Sequence, residues 1–96
     1  MIGFARRAGK CVIGTDLICR AMPKGEIRLV VISSSASENT KKKLSVKSEF
    51  YGIDSIEAGL DTERLGNIVG KSGAVAAVGI CDVGFADEIK KAAVSE

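Results

Sequence analysis

Ninety-six residues suffice for one domain around one core, and 46% apolar content supplies that core, aliphatic because Trp is absent and aromatics are few. No run of 18 apolar residues offers a membrane span, and the absence of His removes the imidazole base and the usual partner of Cys in a zinc site. The net charge of +2 hides an asymmetry: residues 1–48 hold ten Lys/Arg and three Asp/Glu, residues 49–96 hold four and nine, so one basic and one acidic face are expected. Residues 2–10 read as a short basic helix stopped near Gly9, followed by a brief apolar strand or turn at Val12, Ile13 and Gly14. Thr15 suits an N-cap and Asp16 the positive end of a helix dipole; Leu17, Ile18, Ala21 and Met22 then recur with helical spacing until Pro23 and Gly25 stop the helix.

Residues 28–33 (RLVVIS) form an apolar run without alternation, which predicts a strand buried on both faces. Ser35 and Glu38 fit a capping box opening a helix to about Tyr51, with Lys41, Lys42, Lys43 and Lys47 on its exposed sides and Gly52 at its end. Residues 53–58 (IDSIEA) alternate like an edge strand. Asp61 caps the next helix, with Leu65, Ile68 and Val69 expected inward. Residues 70–73 (GKSG) are a turn, residues 74–80 (AVAAVGI) a second doubly buried strand, and residues 85–94 a closing helix. This alternation predicts a single domain over residues 1–96, with a central sheet covered by helices on both faces.

Most tempting motifs fail on spacing or context. Residues 66–72 (GNIVGKS) resemble a phosphate-binding loop, but three residues separate the glycines instead of four, and the segment follows a helix and precedes a strand, the reverse of what phosphate binding at a helix N-terminus needs. The acidic residues are scattered over helix starts and loops, so no enzyme, cofactor or metal site is expected. Cys11, Cys19 and Cys81 lack CxxC spacing and read as free buried thiols of a reducing compartment; with no secretory signal at the N-terminus, a cytoplasmic location is expected. What remains is an anion-binding surface built from the Gly14–Thr15 turn, Arg20 one helical turn later, and the turn carrying Lys71 and Ser72. Each part also has an ordinary reading: Gly14 as a plain turn, Asp16 and Arg20 as an i, i+4 surface pair, the lysine run as a solvated helix face.

The strings GFARRAGK at 3–10, GT at 14–15, RLVVI at 28–32, SENTKKK at 37–43, FYG at 50–52, LG at 65–66 and DVGFA at 82–86 together resemble the kink-turn RNA-binding ribosomal-protein superfamily of the L-seven-Ae type, most of all its small bacterial YlxQ-like branch. The resemblance implies a three-layer α/β/α sandwich around a four-stranded mixed sheet. It also implies binding of kink-turns, sharply bent RNA elements with sheared G·A pairs and an extruded base, in a ribosomal or transcription setting. The family's groove-entering segment falls on Gly14, Thr15, Asp16, Leu17 and Arg20. Its loop over the extruded nucleotide falls on Lys71, Ser72, Gly73, Ala74 and Val75, with Ala74 and Val75 implied as apolar contacts to the base. Strong kink-turn binders carry an Asn–Glu pair where this chain has Asp16 and Leu17. A protein-interaction adaptor on the same scaffold, with weakened or lost RNA binding, is therefore the second reading.

Overall fold

A computed structural model describes residues 2–71 and 73–95, with side chains through residue 92. Five helices alternate with four strands in the order α1 (Ile2–Arg7), β1 (Cys11–Ile13), α2 (Thr15–Ala21), β2 (Leu29–Ser33), α3 (Glu38–Phe50), β3 (Asp54–Ala58), α4 (Thr62–Ile68), β4 (Ala77–Ile80) and α5 (Val83–Ser95). The strands lie side by side as β1-β4-β2-β3. β4 runs antiparallel to both neighbours and β2 parallel to β3, which makes the sheet mixed.

All five residues of β2 and all four of β4 are buried, as their unbroken apolar runs predict. Successive side chains of a strand point to opposite faces. Leu29, Val31, Val78 and Ile80 therefore join Ala5, Leu65, Ala86 and Ile89 of α1, α4 and α5 in one core. Val30, Ile32 and Ala77 join Ile18, Ala21 and Leu44 of α2 and α3 in a second core on the other face. Helices thus cover both faces, giving the three-layer α/β/α sandwich around a four-stranded mixed sheet. β3, alternating and half exposed, is an edge strand. Lysines hold it from both faces: Lys90 of α5 on Asp54 and Lys41 of α3 on Glu57, each at 2.8 Å. These bonds raise both lysines above their ordinary pKa.

Four local expectations are corrected. Gly14, at φ 103°, is the N-cap of α2; Thr15 is its first helical residue and gives no side-chain cap bond. The N-cap of α3 is Ser37, whose hydroxyl accepts from Thr40 N at 3.2 Å, not Ser35. The buried Ser33 hydroxyl donates to Leu60 O at 2.7 Å and accepts from Ser35 N at 3.1 Å, which takes Ser35 into the turn before the helix. Ile68 is 41% exposed, because α4 turns Leu65, Gly66 and Val69 inward. β4 begins at Ala77 rather than residue 74, since Val75 N is bound to Thr62 O of α4 at 2.9 Å. Pro23 and Gly25 do end α2, which tightens into a 3-10 turn at Met22–Lys24. Asp61 caps α4 through Arg64 N at 2.7 Å.

Ser48 of α3 is buried and its Oγ has no hydrogen-bond partner among the described residues. A buried unsatisfied hydroxyl costs about 1–3 kcal/mol. Ser48→Ala should therefore raise the melting temperature by about 4–8 °C, the shift of roughly 1 kcal/mol in a domain of this size. A thermal melt showing the variant to be less stable would reveal that the hydroxyl is satisfied.

Candidate nucleic-acid interface

The two sequence segments singled out as an anion-binding surface converge at one end of the sheet. β1 pairs with β4 so that Ile13 faces Val78, and Gly14 N donates to Ala77 O at 3.2 Å. The start of α2 is thereby bonded to the start of β4, two residues after Val75, which closes the bend that begins at Gly70 and Lys71. The positive φ of Gly14, which L side chains rarely adopt, makes the turn from β1 into α2.

α4 holds the bend. Lys71 N donates to Gly66 O and Val75 N to Thr62 O, both at 2.9 Å. Gly66 is needed for close approach, because a Cβ there would collide with the Gly73 carbonyl oxygen. The bend therefore rests directly on the backbone of α4.

Between α2, β1 and the bend lies an open cleft of about 650 Å³, floored by Cys11, Val12 and Ile13. Leu17 and Arg20 line it from α2, Lys71 from the bend, Arg6 from α1 and Lys24 from the 3-10 turn. Among the described residues no carboxylate lines it, and none of its four cations is held in an ion pair. Leu17 is 52% exposed at its rim. Asp16 does not pair with Arg20; it approaches Lys43 of α3 at 3.9 Å.

Of the predicted residues, Leu17, Arg20 and Lys71 share the cleft, while Gly14 and Thr15 form the turn leading into α2. Gly73 and Ala74 are exposed on the bend. Val75 is 6% exposed and packs into the core, which corrects its expected role: its side chain is not free to touch a base. Ser72 lies outside the described residues. Arg6 and Lys24 join the cleft beyond the residues expected from the sequence; the basic character of the first helix is the only sequence signal for Arg6, and Lys24 has none.

The three thiols are free, as expected, and partly rather than deeply buried. Burial pushes Cys11 and Cys81 above the ordinary thiol pKa, Arg6 opposing it at Cys11. Both are neutral thiols at pH 7, so the cleft floor adds no negative charge at Cys11. Among the described residues no helix is long and apolar enough to cross a membrane, and no group of three or more His, Cys, Asp or Glu could hold a metal ion.

Comparison with known proteins agrees with this architecture. The family model described as ribosomal protein L7Ae/L30e/S12e/Gadd45 family matches residues 1–90. The RNA-binding protein YlxQ of Enterococcus faecium is 36% identical over 91 residues, covering 95% of this chain and 85% of that protein. The Bacillus subtilis RNA-binding protein YlxQ is 33% identical over 91 residues, covering 93% and 87%. Among solved structures, a protein with unknown function from Bacillus halodurans superposes with a TM-score of 0.88 at 33% identity, covering 99% of this chain and 93% of that one. A Giardia lamblia 15.5kD RNA binding protein shares the fold at a TM-score of 0.78 and 14% identity, covering 98% and 78%. The chain belongs to the ribosomal protein L7Ae/L30e/S12e/Gadd45 family.

Proposed function

We propose that residues 1–96 act as a single, non-enzymatic, cytoplasmic RNA-binding domain that recognises structured, kink-turn-like RNA and works beside ribosomal or transcription components. The observation that carries this reading is the cleft: four cations with no ion-pair partner among the described residues, no described carboxylate, and a shape set by the α2 turn and the α4-supported bend. Phosphates supply most of the attraction in such a site and make it salt dependent. The Arg20 guanidinium can fork onto a phosphate or a guanine edge. Irregular RNA is the suitable target, since a regular A-form helix hides its major-groove base edges. The resemblance to kink-turn binders supports the finer identification and the ribosomal or transcription setting, and the relatives named as RNA-binding proteins support the class of ligand.

Titration of a labelled kink-turn RNA and an unbent duplex at two salt concentrations tests the reading. Tighter, strongly salt-dependent binding of the kink-turn is expected. Arg20→Ala should weaken it about tenfold, with a salt slope smaller by about 1 if the contact is to phosphate. Its melting temperature should stay the same, since Arg20 is exposed and makes no ion pair among the described residues. Equal, negligible binding of both RNAs would favour the adaptor. On that alternative Leu17, Ala74 and Val75 would form the docking patch; it has less support, because Val75 is buried and cations flank Leu17.

A further inference from the structure

α3 buries Leu44 and Ser48. Its opposite face carries apolar side chains that the fold does not use. Val46 is 57% exposed and Phe50 79%, the highest value of any large apolar residue described. Four residues apart, they are neighbours on one helix face. Tyr51 follows, half-exposed, and its ring meets that of Phe50 edge to face at 4.9 Å and 89°, which fixes the outward aromatic in place. The chain has only four aromatic residues, so placing two of them here instead of in the core leaves a cluster and not a scattered residue; exposed clusters of this kind mark interaction sites. Cations surround it. Lys42 and Lys43 lie one turn before Val46, and Lys47 lies beside it. Lys42 and Lys47 have no ion pair among the described residues, and Lys43 has only its 3.9 Å approach to Asp16. Glu49 is the one carboxylate in the last two turns of the helix. None of these side chains lines the RNA cleft.

We propose that the outer face of α3 docks an acidic segment of a partner protein, whose apolar side chains seat on Val46 and Phe50 while its carboxylates meet Lys42, Lys43 and Lys47. The charge of the face selects the sign of the partner: three lysines and one glutamate attract an acidic segment and repel a basic one. The apolar centre selects its class. A nucleic acid needs the lysines but gains nothing from Val46, which has no ring to stack on a base. A protein segment uses both, with an aromatic anchor at the middle and ion pairs at the rim, the usual layout of a protein interface. The face lies outside the cleft, and Lys43 places its near end beside the start of α2. The chain can therefore hold this partner and a ligand in the cleft together, and the docking does not depend on what the cleft binds.

The test selects from a random library of 16-residue peptides displayed on phage, with the full chain as bait. Enriched peptides should carry several Asp or Glu and at least two large apolar residues, and their affinity should fall as salt rises. Phe50→Ala should weaken them at least tenfold, and so should the double charge reversal Lys42→Glu, Lys47→Glu. All three positions are at the surface, so both variants should melt as the wild type does. Enrichment of no peptide, enrichment of peptides without acidic residues, or peptides that bind Phe50→Ala as tightly as the wild type overturns the proposal. Two controls identify other occupants. A dimer in sedimentation that Phe50→Ala dissociates gives the face to a second copy of the chain, and a tenfold loss of kink-turn or duplex RNA binding in Phe50→Ala gives it to nucleic acid; either result overturns the proposal.

Discussion

Replacing Gly66 by Ala should lower the unfolding free energy by about 1–3 kcal/mol, the usual cost of overpacking, and weaken RNA binding at least tenfold where the variant is still folded. On helix propensity alone the change would be favourable, since Ala is better than Gly by about 0.8–1 kcal/mol inside a helix. The tertiary contact reverses the sign. The new Cβ meets the carbonyl oxygen of Gly73, and a backbone atom cannot swing aside as a side chain can. Relief requires the whole bend to lift from α4, and with it the Lys71 N to Gly66 O bond that sets the bend against the cleft. Gly79→Ala is the control. Its nearest obstacle is the flexible tip of Ile27 at 2.9 Å, so a smaller loss is expected. Thermal melts of both variants and titration of a kink-turn RNA check this pair. A Gly66→Ala protein as stable and as active as the wild type would show that α4 does not hold the bend in place.

The strands were legible where burial made the pattern strong. β2 and β4 lie in the middle of the sheet, so both of their faces must be apolar, and an unbroken Val/Ile/Leu/Ala run records that directly. The caps were legible only where a side chain acts on its own neighbours. Asp61 does so and is legible; Ser37 is not distinguishable from Ser35 in the sequence, because the choice depends on Ser33 bonding to Leu60, 27 residues away. Ile68 and Val69 could not be separated by spacing, since what turns the helix is the fit of Gly66 against the bend. The same division runs through the candidate site. Gly14, Arg20 and Lys71 stand out as turn and charge signals in the chain. Arg6 and Lys24 enter the cleft only because β1 pairs with β4 and α1 packs across that end of the sheet, and Val75 leaves it because its amide is drawn to Thr62. Long-range pairing of this kind leaves no local mark.

Under the kink-turn reading, the double substitution Asp16→Asn, Leu17→Glu should tighten kink-turn binding about ten- to a hundredfold and leave an unbent duplex unaffected. Ionised Asp accepts hydrogen bonds but donates none, and Leu does neither, whereas Asn does both and Glu accepts from guanine N–H groups. A well-placed base contact contributes about 1–3 kcal/mol of discrimination, which sets the expected range. Both positions are exposed, so the change does not disturb the core. It gives up the 3.9 Å approach of Lys43 to Asp16, an exposed pair whose loss costs about 0–1 kcal/mol of stability. The substitutions also cancel in charge, one removing a carboxylate and the other adding one, so the salt slope should stay where the wild type has it. A gain with an unchanged slope is therefore a gain in base recognition, and the single variant Asp16→Asn, which adds one unit of positive charge, separates the two effects. Titration of kink-turn and duplex RNA against the three proteins at two salt concentrations reads all of this. Equal gains on both RNAs would assign the effect to charge, and no gain on either would mean that the α2 turn does not meet RNA bases at all.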